Sequence, residues 1–130
     1  MKTIEIVPAI TTGSEKQIAW ATDIRAAQIA RFDRLAAMPA ENLGVSTAAD
    51  KQRMIAVACI GLSWAEQDAL RQEIDAFEMD LPSPKRSDPD RKAIMAQNMR
   101  SAYDFVLGKA AVAFERVTSA REWIDFATNK

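Results

Sequence analysis

The chain has no histidine and only one cysteine. The first absence removes the side chain most used for proton transfer near neutral pH and the commonest metal ligand. Serine–histidine, cysteine–histidine and histidine–metal chemistries are therefore closed to a single chain. The second forbids an intrachain disulfide and a zinc cage built from several thiolates. Cys59 itself sits in the apolar run Met54–Ile60 and reads as a small buried hydrophobe rather than a reactive thiol. Glycine is also scarce. Its four positions, 13, 44, 61 and 108, each suit a turn or a helix cap, and they make neither a phosphate-cradling loop nor a DxDxDG calcium loop. No apolar run approaches about eighteen residues, and no charged segment followed by an apolar one opens the chain. The expectation is a cytoplasmic protein with no membrane contact, no cofactor and no metal. No catalytic residue stands out.

What is present is one domain's worth of chain, 130 residues with 48% hydrophobic and 27% charged side chains, an ordinary globular balance. The net charge of −1 hides an uneven distribution. Residues 1–60 carry seven basic and six acidic side chains, residues 61–80 one and six, and residues 81–130 nine and six.

The helix signals are explicit. Ser14 with Gln17 is a capping box and predicts a helix from Glu15 to about Met38, where Pro39 stops it. Ile18, Ala21, Ile24, Phe32 and Leu35 share its apolar face, and Gln17, Arg25 and Gln28 project toward that side as its rim, the alternative being a polar network with another helix. Thr47 reads as the N-cap of a helix over 48–61 that is apolar on all sides after Arg53, the expected central buried element. Gly61 ends it, and Ser63 with Glu66 is a box opening a helix to about Met79. Residues 82–88 form an exposed linker within the domain. Asp88-Pro89, as N-cap and first helical residue, predicts a helix over 89–107 with Ile94, Met95, Met99, Ala102, Phe105 and Val106 inside and Gln97, Arg100 and Asp104 outside. Residues 109–117 read as a further helix after an interruption at Gly108, the alternative being a strand paired with the β-branched segment 3–7. Ser119 with Glu122 is another capping box, opening a helix over 120–128. The fold class is mainly α: a compact bundle of five or six helices in a single domain, with a short extended segment or small β-pair at its start.

Two surfaces and three aromatic residues are candidates for contact. The acidic block, Glu66, Asp68, Glu73, Asp75 and Glu78, suits an arginine- or lysine-rich protein partner, against the plainer reading of a solvated helix face. The basic cluster Lys85, Arg86, Arg91 and Lys92 suits phosphates, but Asp88 and Asp90 interleave with it and the calculated isoelectric point is near 5.5. Trp20, Trp64 and Trp123 each lie in the opening turn of a predicted helix and are read as core.

The runs Gly13-Ser14-Glu15-Lys16-Gln17-Ile18-Ala19-Trp20-Ala21-Thr22-Asp23-Ile24-Arg25 and Ala120-Arg121-Glu122-Trp123-Ile124-Asp125 resemble a group of small uncharacterised bacterial proteins of phages, plasmids and other mobile elements. These share a GSEKQ-x-x-WA-x-x-IR opening and an A-x-x-WID closing. The resemblance covers the two ends, about a fifth of the chain, and carries no catalytic or binding residue with it. The residues point to a non-enzymatic protein that binds a macromolecular partner, and the resemblance implies that this partner, which it would inhibit, is a host or phage protein or nucleoprotein complex such as a defence nuclease. A nucleic-acid-binding accessory protein is the alternative, and a carboxylate-dependent enzyme the third reading.

Overall fold

The computed structural model describes residues 8–44 and 47–128. Five α-helices make up this part of the chain: α1 (Glu15–Ala37), α2 (Ala48–Ala58), α3 (Trp64–Met79), α4 (Arg91–Arg116) and α5 (Ala120–Thr128), with one 3₁₀ turn at Ala40–Asn42. The expected mainly α bundle is the observed architecture. The segment 3–7 lies outside the described residues, and so does its pairing.

The two expected helices over 89–107 and 109–117 are one. Gly108 sits exposed inside α4 with open space around it, so the missing side chain is a local loss of helix propensity and not a break. The fused helix is the spine of the molecule, a place expected for α2. Ala102, Tyr103, Val106, Leu107, Ala110, Ala113 and Phe114 are all buried along it. α2 packs on it through Met54, Ile55, Val57 and Ala58 while its opposite face stays in solvent.

Four aromatic rings join the first, fourth and fifth helices. Phe32 and Phe114 lie 5.8 Å apart, Phe114 and Trp123 stack at 5.7 Å and 6°, and Phe126 meets Trp123 edge-on at 6.2 Å. Burying and stacking such rings supplies area plus about 0.5–1.5 kcal/mol per pair from ring geometry. Trp123 also donates its Nε1–H to Val117 O at 2.9 Å, so its polar edge is satisfied in the core.

The two similar ends of the sequence meet in space. Thr11 N–H donates to Thr118 O at 3.0 Å and Ala120 N–H to Thr12 O at 2.9 Å, a short parallel tie in which Thr12 faces Ser119. That backbone bond holds the start of α5. The expected Ser119 capping box is thus replaced by the neighbouring segment, and the Glu122 carboxylate lies beside Gly61 instead. Gly13 adjoins the tie at φ 135°, and a Cβ there would meet the Ala120 Cβ at 2.9 Å. The boxes at Ser14–Gln17 and Ser63–Glu66 are both formed.

Five other residues depart from expectation, three of them, Arg25, Arg100 and Thr47, because a segment distant in sequence supplies the partner. Arg25, placed at the rim, is buried and donates to Pro8 O at 2.7 Å and Phe114 O at 3.5 Å. Gln28 is buried too, and its Oε1 has no hydrogen-bond partner among the described residues, a cost of about 1–3 kcal/mol for such an acceptor. Arg100, placed outside, turns inward and caps the carbonyl end of α1 through Leu35 O at 2.8 Å and Met38 O at 2.7 Å. Thr47 precedes α2 without capping it through its side chain, because its hydroxyl is engaged by Tyr103 Oη at 2.9 Å and by Gly44. Asp88 does not cap α4 directly either. Its Oδ1 accepts from Asp90 N–H at 2.9 Å, and the helix begins at Arg91.

Glycine substitutions separate the two kinds of position. Gly108→Ala is expected to stabilise the protein by about 0.5–1 kcal/mol, from helix propensity alone. Gly13→Ala is expected to destabilise it by more than that, since both φ and space are unavailable. Urea unfolding of the two variants checks this, and a destabilised Gly108→Ala contradicts the continuous spine.

Candidate interaction surface

α3 stands on the side of the body and touches it along one stripe. Ile74 is its only buried residue among those described. Phe77 stacks on Phe105 at 4.2 Å and 8°, and Lys109 reaches from α4 both to Glu73 Oε1 at 2.7 Å and over the Phe105 ring. Lys51 of α2 pairs with Glu78. These contacts fix the helix by its inner edge. The rest faces solvent.

The five acids of the block divide accordingly. Glu73 and Glu78 are tied to the lysines just named. Glu66 closes the capping box, and its carboxyl is held below the usual range first by the Ser63 backbone N–H, then by the Ser63 side chain and the Arg116 guanidinium. Asp68 and Asp75 are exposed, with no ion pair or hydrogen bond to their side chains among the described residues. Two free charges therefore remain of five.

Those two lie on a stripe whose ends are apolar. Trp64 is 83% exposed and Met79 85% exposed. Positions 64, 68, 75 and 79 follow one face of the helix, and with about 1.5 Å of rise per residue the ends stand roughly 22 Å apart. Arg71 stands between the two acids on the same face, Gln72 lies beside it, and Ala65, Ala69 and Ala76 follow further round the helix. The core reading of Trp64 is therefore overturned, and that of Trp20, 51% exposed at the edge of α1, with it. Trp123 alone of the three is core. The sequence held the signal: Trp64 falls outside the spacing of Leu70, Ile74 and Phe77, because six residues before Leu70 turns it well round the helix.

Lys85, Arg86, Arg91 and Lys92 are exposed on the loop before α4 and on its first turn. They lie close in sequence and form no ion pair with one another's neighbours among the described residues, but Asp88 and Asp90 share the same turn. No described carboxylate cluster, cysteine or histidine set comes together as a metal cage needs. Cys59 is buried, and burial pushes its thiol up against the opposing pull of Arg71 and Arg116, which keeps it in the unreactive protonated form. No helix among the described residues is long and apolar enough to cross a membrane.

Acrylamide quenching separates the three emitters. Trp20 and Trp64 are expected to be quenched readily and Trp123 to be protected, so Trp64→Phe and Trp20→Phe each remove an accessible component. Uniform protection of all three overturns the stripe. Searches against protein families, characterised proteins and solved structures return no match to this chain.

Proposed function

We propose that the protein is a non-enzymatic binder of a macromolecular partner and that the outer face of α3 is where the partner docks. The observation that carries this reading is Trp64, a large indole held almost fully in solvent on a face of α3 that also exposes Asp68, Arg71, Gln72, Asp75 and Met79. An isolated exposed indole gains little from water and much from a desolvated pocket, and tryptophan is among the side chains that dominate binding energy when buried at an interface. Asp68 and Asp75, against the single cation Arg71 between them, leave the face with a net negative charge that favours a lysine- or arginine-bearing surface.

The likeness of the two ends to proteins of mobile elements supports a host protein, or a host nucleoprotein complex, as the target. A protein that normally grips nucleic acid carries the basic surface this stripe complements. Occupying that surface inhibits it, a mode of action that needs no reaction centre.

Affinity capture from the source host tests the reading. The tagged protein is expected to retain one dominant host protein. Trp64→Ala is expected to weaken the purified pair by about 30-fold or more, on the scale of an anchor residue. Asp75→Lys is expected to slow association and flatten its salt dependence. Capture that survives both substitutions contradicts the docking face. Retention of nucleic acid instead, abolished by Lys85→Glu with Arg86→Glu, transfers the function to the basic cluster.

A further inference from the structure

A groove of about 390 Å³ lies where the end of α3 meets the first turns of α4, lined by Met79, Leu81, Pro82, Met95, Met99 and Ala102. The Asn98 amide donates to Pro82 O at 2.7 Å and pins the outer wall to α4. The two charged side chains of the lining, Lys51 and Glu78, pair with each other. No charge is therefore left in the groove to hold an ionic ligand, and its chemistry is that of its three methionines, adaptable apolar side chains suited to another protein surface. Met79 is 85% exposed and Met95 44%, so two of the three stand free at the rim.

The charges at the two ends of the groove say what covers it. α3 and α4 run antiparallel here, with Phe77 on Phe105 and Glu73 against Lys109. Asp75 therefore lies one turn from Met79 on the side away from the start of α4, and Arg91 lies one turn from Met95 toward that start. Measured along α4, the two stand roughly 24 Å apart. Lys85 and Arg86 join Arg91 against Asp88 and Asp90, which leaves that end with a net charge of +1. Asp68 joins Asp75 against Arg71, which leaves the other end with −1. Lys92 belongs to neither, because it lines a cleft with Glu41 on another side of α4.

An apolar groove with opposite charges at its ends is complementary to itself under a half-turn. Rotation about an axis through the groove carries the acidic end of one copy onto the basic end of the other, the condition of an isologous interface. A uniformly basic partner matches one end and is repelled at the other. We propose that the groove is the axis of a two-fold homodimer. Met79 and Met95 of each copy pack against Met95 and Met79 of the other, and Asp75 of each faces Arg91 of the other. Trp64, at the far end of α3, stays in solvent in both copies, so the pair carries two docking indoles. The inference does not rest on the reading of Trp64 as a partner's anchor.

Sedimentation of the purified full chain over a wide range of concentration tests it. A monomer–dimer equilibrium is expected. Met79→Glu, which sets a carboxylate against methionines, is expected to weaken it about tenfold or more. Asp75→Lys and Arg91→Glu each oppose like charges twice across the axis, and each is expected to be monomeric at concentrations where the parent is dimeric. An equimolar mixture of those two variants is expected to recover the dimer, because unlike charges then meet at both ends. Trp64→Ala is expected to leave the equilibrium unchanged. All four positions are exposed, and circular dichroism checks that each variant keeps the parent's fold. A parent that is monomeric at every concentration, a dimer indifferent to Met79→Glu, or a mixture as monomeric as its components overturns the interface. So does a dimer lost with Trp64→Ala, which moves self-association to the other end of α3.

Discussion

Everything in the fold depends on the way Trp123 is held. Its indole stacks on Phe114, its edge meets Phe126, and its N–H is spent on Val117 O, the carbonyl just past the end of α4. One side chain thus locks the turn between α4 and α5 and carries α5 back across the bundle to α1. Phe32 on the other side of Phe114 completes the row. With α5 so placed, its first backbone N–H is available to Thr12 O, and the chain's early residues are drawn in beside it. Arg25 then fixes the incoming segment through Pro8 O.

That arrangement stabilises four helices against one another and leaves α3 outside. A helix with one buried residue gains little from burial, so its place is kept by a ring stack and two lysine–glutamate pairs. Pairs as exposed as these contribute only tenths of a kcal/mol each. The consequence is a firm body carrying a helix that shows most of its circumference to solvent. The same economy of packing opens the gap between α1 and α2, beside which the buried Gln28 Oε1 has no hydrogen-bond partner among the described residues. An acceptor left unmet in the core is a cost of about 1–3 kcal/mol set against the packing around it.

Local signals wrote much of this into the sequence. The boxes at Ser14–Gln17 and Ser63–Glu66, the stop at Pro39 and the apolar spacing of α1 and α3 each act within a few residues, and each is where the pattern places it. The residues that departed from expectation answer to partners far along the chain. Arg100 serves carbonyls more than sixty positions away, Arg25 one almost ninety away, and Thr47 a tyrosine more than fifty away. Gly108 was ambiguous because a glycine lowers helix propensity wherever it stands, and only the packing on both sides of it carries the helix through. Of the candidate surface, the acidic residues were legible but their division was not. Which of them are neutralised depends on Lys51 and Lys109, which lie on other helices. The exposure of Trp64 was readable from its angle on the helix, but the general tendency of tryptophan toward the core outweighed it.

α3 is lightly held on a body whose other helices stand or fall together. Native-state amide hydrogen exchange, followed residue by residue at low denaturant, tests this most directly. The buried amides of α1, α4 and α5 are predicted to exchange together at the global unfolding free energy, and those of α3 to exchange earlier through a separate opening. Exchange of α3 at the same free energy as the core, or of α5 independently of α4, would contradict it.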